Sequence, residues 1–308
     1  MVVAGEKNAA PGIESGGLRE PSASTTQDVV LVPAVKPASK TGRNLGAAVL
    51  VGLLLGAAIL ASLLWARHLF IVVIGAAVAV STVETATAFR RARGIKVALT
   101  PLLVGGQAML WVSWPFGLDG VLTAFVLTVL ACLLWRVPGG SENYLRDVAG
   151  SIFVAAYIPL FATFAALLVL PEDGVLRVIA FMLVVIGSDT GGYAVGALLG
   201  RHPMAPRISP KKSWEGFAGS LIAGVAAGLI VVTLLLGGQW WHGALFGVAL
   251  VATATLGDLL ESLVKRDIGV KDMGTLLPGH GGLMDRMDSL LPSAMVAWVL
   301  LNWFVPVA

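Results

Sequence analysis

Charge and sulfur are what this sequence has least of. Only 13% of its 308 residues are charged, about half the share usual in soluble domains, which excludes a soluble domain of any size between its apolar segments. The one cysteine, Cys132, lies inside such a segment and so excludes both an intrachain disulfide framework and a thiolate metal cluster. The four histidines, His68, His202, His242 and His280, are too scattered for their spacing to describe a zinc site. What is abundant is hydrocarbon: 57% of the residues are hydrophobic and the mean hydropathy is +0.87. The expectation is an all-α, polytopic integral membrane protein.

Apolar runs of about 20 residues, each long enough to cross a ~30 Å hydrocarbon layer, predict about nine transmembrane helices. They cover 45–65, 69–89, 97–114, 118–135, 148–170, 176–199, 217–236, 243–261 and 289–305. Basic residues alternate between the connections. Lys36, Lys40 and Arg43 precede the first run; Arg90, Arg91, Arg93 and Lys96 follow the second; Arg136 and Arg146 follow the fourth. Arg201, Arg207, Lys211 and Lys212 follow the sixth, and Lys265, Arg266 and Lys271 the eighth. The positive-inside rule then puts all of these in the cytoplasm, with the N-terminus in and the C-terminus out. The intervening loops carry tryptophans, as in "SWPFG" and "GGQWWHG", where an interfacial belt would place them.

Residues 1–44 are rich in Ala, Gly, Ser and Pro without helical or strand periodicity, and predict a disordered cytoplasmic tail ahead of a transmembrane domain spanning 45–308. A cleavable signal peptide is not expected, because the first apolar run begins late and is long enough to span.

The polar residues that do occur are concentrated. Residues 258–288 hold six of the chain's 18 acids. Asp258, Glu261, Ser262 and Lys265 are spaced i, i+3, i+4 and i+7, one face of a helix leaving the eighth span. Glu261 and Lys265 also read as an ordinary i, i+4 pair. Asp285 and Asp288 repeat the i, i+3 spacing at the start of the ninth span. Two helix ends would thus present carboxylates to one space, suited to a hard divalent cation. Between them "PGHGG", with Gly281 and Gly282, lets backbone N–H groups approach a phosphate, and His280, Lys271 and Arg286 add positive charge. A second polar block, "SDTGGYAVGALLGRHPMAPRISPKKSWEGFAGS", runs from Ser188 to Ser220. Asp189 is an acid within an apolar span, a functional candidate by default. Gly192, Gly196 and Gly200, four apart, read as a close-packing face. Ser209, Lys211 and Lys212 precede a helix that Ser213 can cap, with Glu215 in its first turn. Lys211 and Lys212 read either as positive-inside anchors or as phosphate contacts. Glu84 is another intramembrane acid, which the neighbouring arginines could neutralise, and it is left outside the site.

The run SLVKR-x4-KD-x-G-x2-LP-x-HGGL-x-DRMD, from Ser262 to Asp288, resembles the signature of the phosphatidate cytidylyltransferases, or CDP-diacylglycerol synthases. The Ser188–Ser220 block is similar to a second family block, S-D-T-x-A-Y, G-x3-G and S-P-x-K-T-x-E-G, with Gly192 in place of alanine and Ser213 in place of threonine. The resemblance implies transfer of CMP from CTP to phosphatidate, giving CDP-diacylglycerol and pyrophosphate, in the plasma (inner) membrane of a bacterium. It implies Mg2+, with room for a second cation, held by Asp258 and Asp285 with Asp189 and Asp288. Catalytic roles fall on Asp258, Asp285, Lys265, Arg286 and His280. Phosphate contacts fall on Ser209, Lys211, Lys212, Arg266, Lys271, Gly281 and Gly282. The expected partners are CTP, phosphatidate and membrane lipid; a homodimer is compatible, and nucleic acid is not expected.

Two alternatives remain beside it. A CTP-dependent polyprenol kinase would use similar acids on another lipid. An ion-coupled transporter would use Asp189, Asp258 and Glu84 as relays, but no inverted repeat of broken hydrophobic segments is evident and the charges cluster at one face. The D-G-x2-A-R-x8-G-x3-D-x3-D run of the CDP-alcohol phosphotransferases is absent from the sequence.

Overall fold

The protein is described by a computed structural model covering residues 45–276 and 281–305, with the side chains at 45–51, 53 and 55 excepted. The expected tail, 1–44, and His280 lie outside the described residues. The described residues form ten α-helices: α1 (Leu45–Trp65), α2 (Arg67–Arg93), α3 (Leu99–Arg136), α4 (Tyr144–Ala155), α5 (Phe161–Val169), α6 (Gly174–Leu199), α7 (Trp214–Ile230), α8 (Trp240–Ile268), α9 (Met284–Met287) and α10 (Leu290–Phe304). A two-stranded hairpin, β1 (Pro203–Ala205) and β2 (Ser209–Ser213), joins α6 to α7.

Seven stretches among the described residues are long and apolar enough to cross a membrane: 67–93, 99–139, 144–169, 174–199, 214–235, 240–268 and 284–304. The protein is therefore an all-α membrane protein, and the difference between these seven stretches and the nine expected runs has two sources. The first expected run, 45–65, coincides with α1, whose side chains are described continuously only from Gly56. The expected runs 97–114 and 118–135 are two arms of α3, which leaves helical geometry at Gly117 (φ 55°, ψ −143°) just after Pro115. Gly117 supplies the positive φ that side chains resist. The arms fold back on each other, since a Cβ on Gly105 would collide with the Thr128 hydroxyl; in a straight helix those residues would be ~35 Å apart.

Helix ends follow local chemistry. Gly94 (φ 66°) closes α2, its N–H donating to the Arg90 carbonyl, and Gly269 (φ 79°) closes α8 in the same left-handed conformation. Both last turns carry basic residues, which complement the negative end of the helix dipole. Ser213 caps α7 as expected, its Oγ accepting from the Gly216 N–H at 3.1 Å. Pro159, which lacks the N–H an α-helix needs, sits in a wider π turn at 156–160 between α4 and α5.

In lipid the helices gain little from hydrophobic burial against one another, so close backbone packing carries their association. Gly224 and Gly228 on α7 face Gly247 and Gly243 on α8, and a Cβ at Gly243 would lie 2.6 Å from the Gly228 carbonyl oxygen. On α6, Gly191, Gly192 and Gly196 meet Gly219, Ser220 and Gly216 of α7, so the packing expectation holds at 192 and 196. The result is a tight α6–α7–α8 unit.

Hydrogen bonds tie helix ends into two groups that match the alternation read in the sequence. At the basic end, Arg93 donates to the Asp267 carbonyl and Arg146 to that of Gly94. Buried Asp147 pairs with Arg136 at 2.6 Å and accepts from the Lys96 N–H at 3.0 Å. At the other end, Arg67 donates to the Leu170 and Glu172 carbonyls. Fully buried Arg177 pairs with Asp173 at 2.8 Å and reaches Asn302 and the Val305 carbonyl.

Candidate active site

The polar hairpin between α6 and α7 is held by one carboxylate. Glu215, in the first turn of α7, accepts the Arg201 and His202 N–H groups on Oε2 at 3.1 and 3.2 Å, and its Oε1 lies 2.5 Å from His202 Nδ1. The Trp214 N–H donates to the His202 carbonyl, closing the base of the hairpin. β2 is thereby held so that Lys212 Nζ sits 2.6 Å from Asp258 Oδ2 on α8.

The helical face expected on α8 forms. Ser262 Oγ donates to Asp258 Oδ1 at 3.3 Å, and Lys265 Nζ to Glu261 Oε2 at 3.1 Å. The expected i, i+4 pair is therefore present, with Glu261 fully buried. Lys265 also reaches Asp285 Oδ1 at 2.9 Å, so one ammonium joins α8 to α9. Asp285 is nearly buried and both of its oxygens are engaged. The Met273 N–H donates to Oδ1 and Oδ2 at 3.2 and 3.0 Å, and the Gly282 N–H to Oδ2 at 2.8 Å. Gly281 turns the chain there with φ 82°. Gly257 permits the last approach: a Cβ on it would collide with the Asp288 carbonyl and lie 2.6 Å from Pro292 Cγ. Tyr157, on the π turn, donates its hydroxyl to the Gly257 carbonyl at 3.1 Å, bracing α8 one residue before Asp258.

These elements enclose a cavity of about 560 Å3. Five carboxylates line it, the expected Asp189, Asp258, Asp285 and Asp288 and also Asp272, together with four bases, Lys211, Lys212, Lys265 and Arg286. Eight of the expected site residues, from α6, β2, α8 and α9, are thus brought to one space. Gly281 and Gly282 stand behind Asp285. Ser209 and Lys271 are not in the cavity lining, nor is Arg266, which donates from Nε to the Ile208 carbonyl at 3.3 Å and joins the end of α8 to the hairpin. Asp272, Thr255 and Ser289 also line the cavity. No roles follow for them from sequence spacing, although Asp272 stands within the signature run.

Among the described residues, no three His, Cys, Asp or Glu side chains come close enough together to hold an ion alone. Mg2+ bound with phosphates does not require such a cage, since one or two carboxylates complete a shell otherwise made of phosphate oxygens and water. The donor set fits that mode through Asp258, Asp288 and Asp189, all oxygen ligands on one cavity. Asp285 is buried and uses its oxygens to hold Lys265 and two backbone N–H groups, whereas Asp258 is more exposed and, among the described residues, is held only by the side chains of Ser262 and Lys212, which an incoming ion can displace.

Residues 46–304 match the family model described as the cytidylyltransferase family. The chain belongs to this family. It is 49% identical over 277 residues to the phosphatidate cytidylyltransferase of Mycobacterium bovis, covering 86% of this chain and 90% of that protein. It is also 49% identical over 283 residues to the one from Mycobacterium leprae, covering 87% and 90%. The phosphatidate cytidylyltransferase of Brucella suis is 40% identical over 126 residues, 41% of this chain and 47% of that protein. As a cytidylyltransferase, the chain has a nucleotide to recognise, and the cavity has the mixed charge that a triphosphate with its cation calls for.

Proposed function

We propose that this membrane protein transfers CMP from CTP to phosphatidate, releasing pyrophosphate and leaving CDP-diacylglycerol in the bilayer. The observation that carries this reading is the cavity in which five acids and four bases from separate elements meet at the end of apolar helices, in a chain of this family. A phosphate monoester with its second pKa near ~6 is largely ionised at neutral pH, so the lipid phosphate is already a nucleophile and needs no general base. One of its oxygens forms a bond to the α-phosphorus of CTP as the bond from that phosphorus to the bridging oxygen breaks, and pyrophosphate leaves with the electron pair. What the protein must supply is positive charge, placed where two anions meet and where charge grows on the leaving group.

Lys211, Lys212, Lys265 and Arg286 are the groups for that work. Lys212 is held ready by Asp258, and Lys265 by Asp285 and Glu261. Mg2+, when bound, neutralises part of the triphosphate charge, and Asp258 with Asp189 and Asp288 would hold it. Tyr193 on the cavity lining is 81% exposed on α6, which supports a side opening to the bilayer for the acyl chains. The clustering of basic residues at this end supports a cavity facing the cytoplasm, in the inner membrane of a bacterium.

The test is to incubate the purified protein with labelled CTP, Mg2+ and phosphatidate, adding polyprenol or other lipid phosphates as competitors. Formation of CDP-diacylglycerol and pyrophosphate in equal amounts is expected. Transfer of the γ-phosphate to a polyprenol would assign a kinase instead, and the absence of any CTP turnover would return the transporter reading.

A further inference from the structure

Glu84 lies on α2, outside the family blocks and off the lining of the cavity. Its carboxylate nevertheless contacts the loop that carries Asp285. Oε2 accepts the Met284 N–H at 3.0 Å, the residue immediately before Asp285. Two glycines of that loop are shaped around the same carboxylate. A Cβ on Gly282 would lie 2.7 Å from Oε2, and one on Gly274 would collide with Oε1. One turn earlier on α2, Ser81 donates from Oγ to Met287 Sδ at 3.3 Å. The four-residue α9 is thus held at both ends by one face of α2, while Lys265, Met273 and Gly282 hold Asp285 from the other side.

We infer that Glu84 is a positioning residue for the transfer reaction: by accepting the Met284 N–H between Gly274 and Gly282, it sets where α9 presents Asp285 and Arg286 to the cavity. It touches neither substrate nor reacting atoms. The inference rests on the functional reading above, since a positioned Arg286 and Lys265 matter to catalysis only if phosphates bind there. Displacement of such groups by ~1 Å can lower a rate by about 100-fold without weakening ground-state binding in proportion. Oε1 has no hydrogen-bond partner among the described residues, so a glutamine that keeps its carbonyl toward Met284 meets the same requirement.

The experiment compares Glu84→Ala, Glu84→Gln and Glu84→Asp in the full chain, reconstituted in lipid with CTP, Mg2+ and phosphatidate. Hydrogen exchange is followed in the peptide spanning 281–287. Glu84→Ala is expected to lower kcat by about 100-fold with KM for CTP within about threefold, and Glu84→Gln to recover to within about fivefold of the parent. Exchange at 281–287 should quicken in the alanine variant and not in the glutamine variant. A kcat for Glu84→Ala within about threefold of the parent overturns the inference. So does a glutamine variant as impaired as alanine, which would make charge, not acceptance of the N–H, the property that counts. If the alanine variant does not fold, Glu84→Asp decides: it keeps the charge but loses reach, and parent-like kcat and exchange overturn the role. If the parent itself does not turn over CTP, the functional reading fails, while unchanged exchange at 281–287 in the variants would separately remove Glu84 from the positioning role.

Discussion

Asp285 shows how a carboxylate can serve a site through what it holds. Its oxygens take one ammonium and two backbone N–H groups, and every one of these partners is a donor. Asparagine keeps the shape but turns one oxygen into a donor, so either Lys265 or the 273–282 backbone loses its acceptor. Leaving such a buried group unpaired costs about 1 to 3 kcal/mol. Asp285→Asn is therefore expected to lower CTP turnover by at least about tenfold, with the protein still inserting and purifying. Turnover equal to the parent would remove Asp285 from the site. The i, i+3 spacing of Asp285 and Asp288 made the pair visible as acids, but the bonds that saturate Asp285 come from residues 3 to 20 positions away and have no periodic signature. Glu261 and Lys265 pair as their spacing suggests, but the burial of Glu261 was hidden for a related reason. A pair at i, i+4 has the same spacing on a wet helix as on a buried one, and only the packing around α8 separates the two.

Among the elements, α8 does most to set the geometry. It packs on α7 through glycines at one end and carries Asp258 and Lys265 at the other. Gly257, beside Asp258, is where the junction of α9 and α10 comes closest. Gly257→Ala should push the Asp288 backbone away from α8 and strain the contact with Pro292, at a cost of about 1 to 3 kcal/mol typical of overpacking. The expected outcome is a lower melting temperature in detergent together with reduced turnover; an unchanged value of both would mean that the junction can shift freely. The small-residue spacing of the α6 glycines marked the packing face in advance, because GxxxG-type faces follow from helix periodicity alone. The reversal of α3 was legible only as two apolar runs separated by "WPFG". Whether such a break is a loop or a single glycine joining two helices depends on how the arms pack.

For the molecule as a whole, orientation in the membrane can be tested directly. The chain's one cysteine is buried, which gives a low background for labelling introduced cysteines. Arg207, in the turn between β1 and β2, and Glu172, between α5 and α6, are both exposed, and they belong to opposite groups of helix ends. In sealed right-side-out vesicles, a membrane-impermeant maleimide should label Glu172→Cys at once and Arg207→Cys only after permeabilisation. The reverse order would put the cavity outside and remove its access to cytoplasmic CTP. Arg177 offers a check on the other end. Replacing this fully buried guanidinium by methionine leaves Asp173 without its partner and frees the end of α10, and a loss of about 3 kcal/mol or more is expected in reversible unfolding.

Composition and hydrophobic period determined the class of this protein, because a chain so poor in charge can satisfy its backbone only as helices in lipid. The motif run and the alternation of basic loops likewise named its acids and bases and grouped its helix ends without coordinates. What each polar side chain holds was decided by the tertiary structure: Lys212 on Asp258, Asp285 on Lys265 and a backbone turn, Glu84 on Met284. Apart from that turn, these pairings join residues 20 to 200 positions apart. Local periodicity carries no information at that range, and only the glycine-mediated approach of the helices brings such groups within hydrogen-bonding distance.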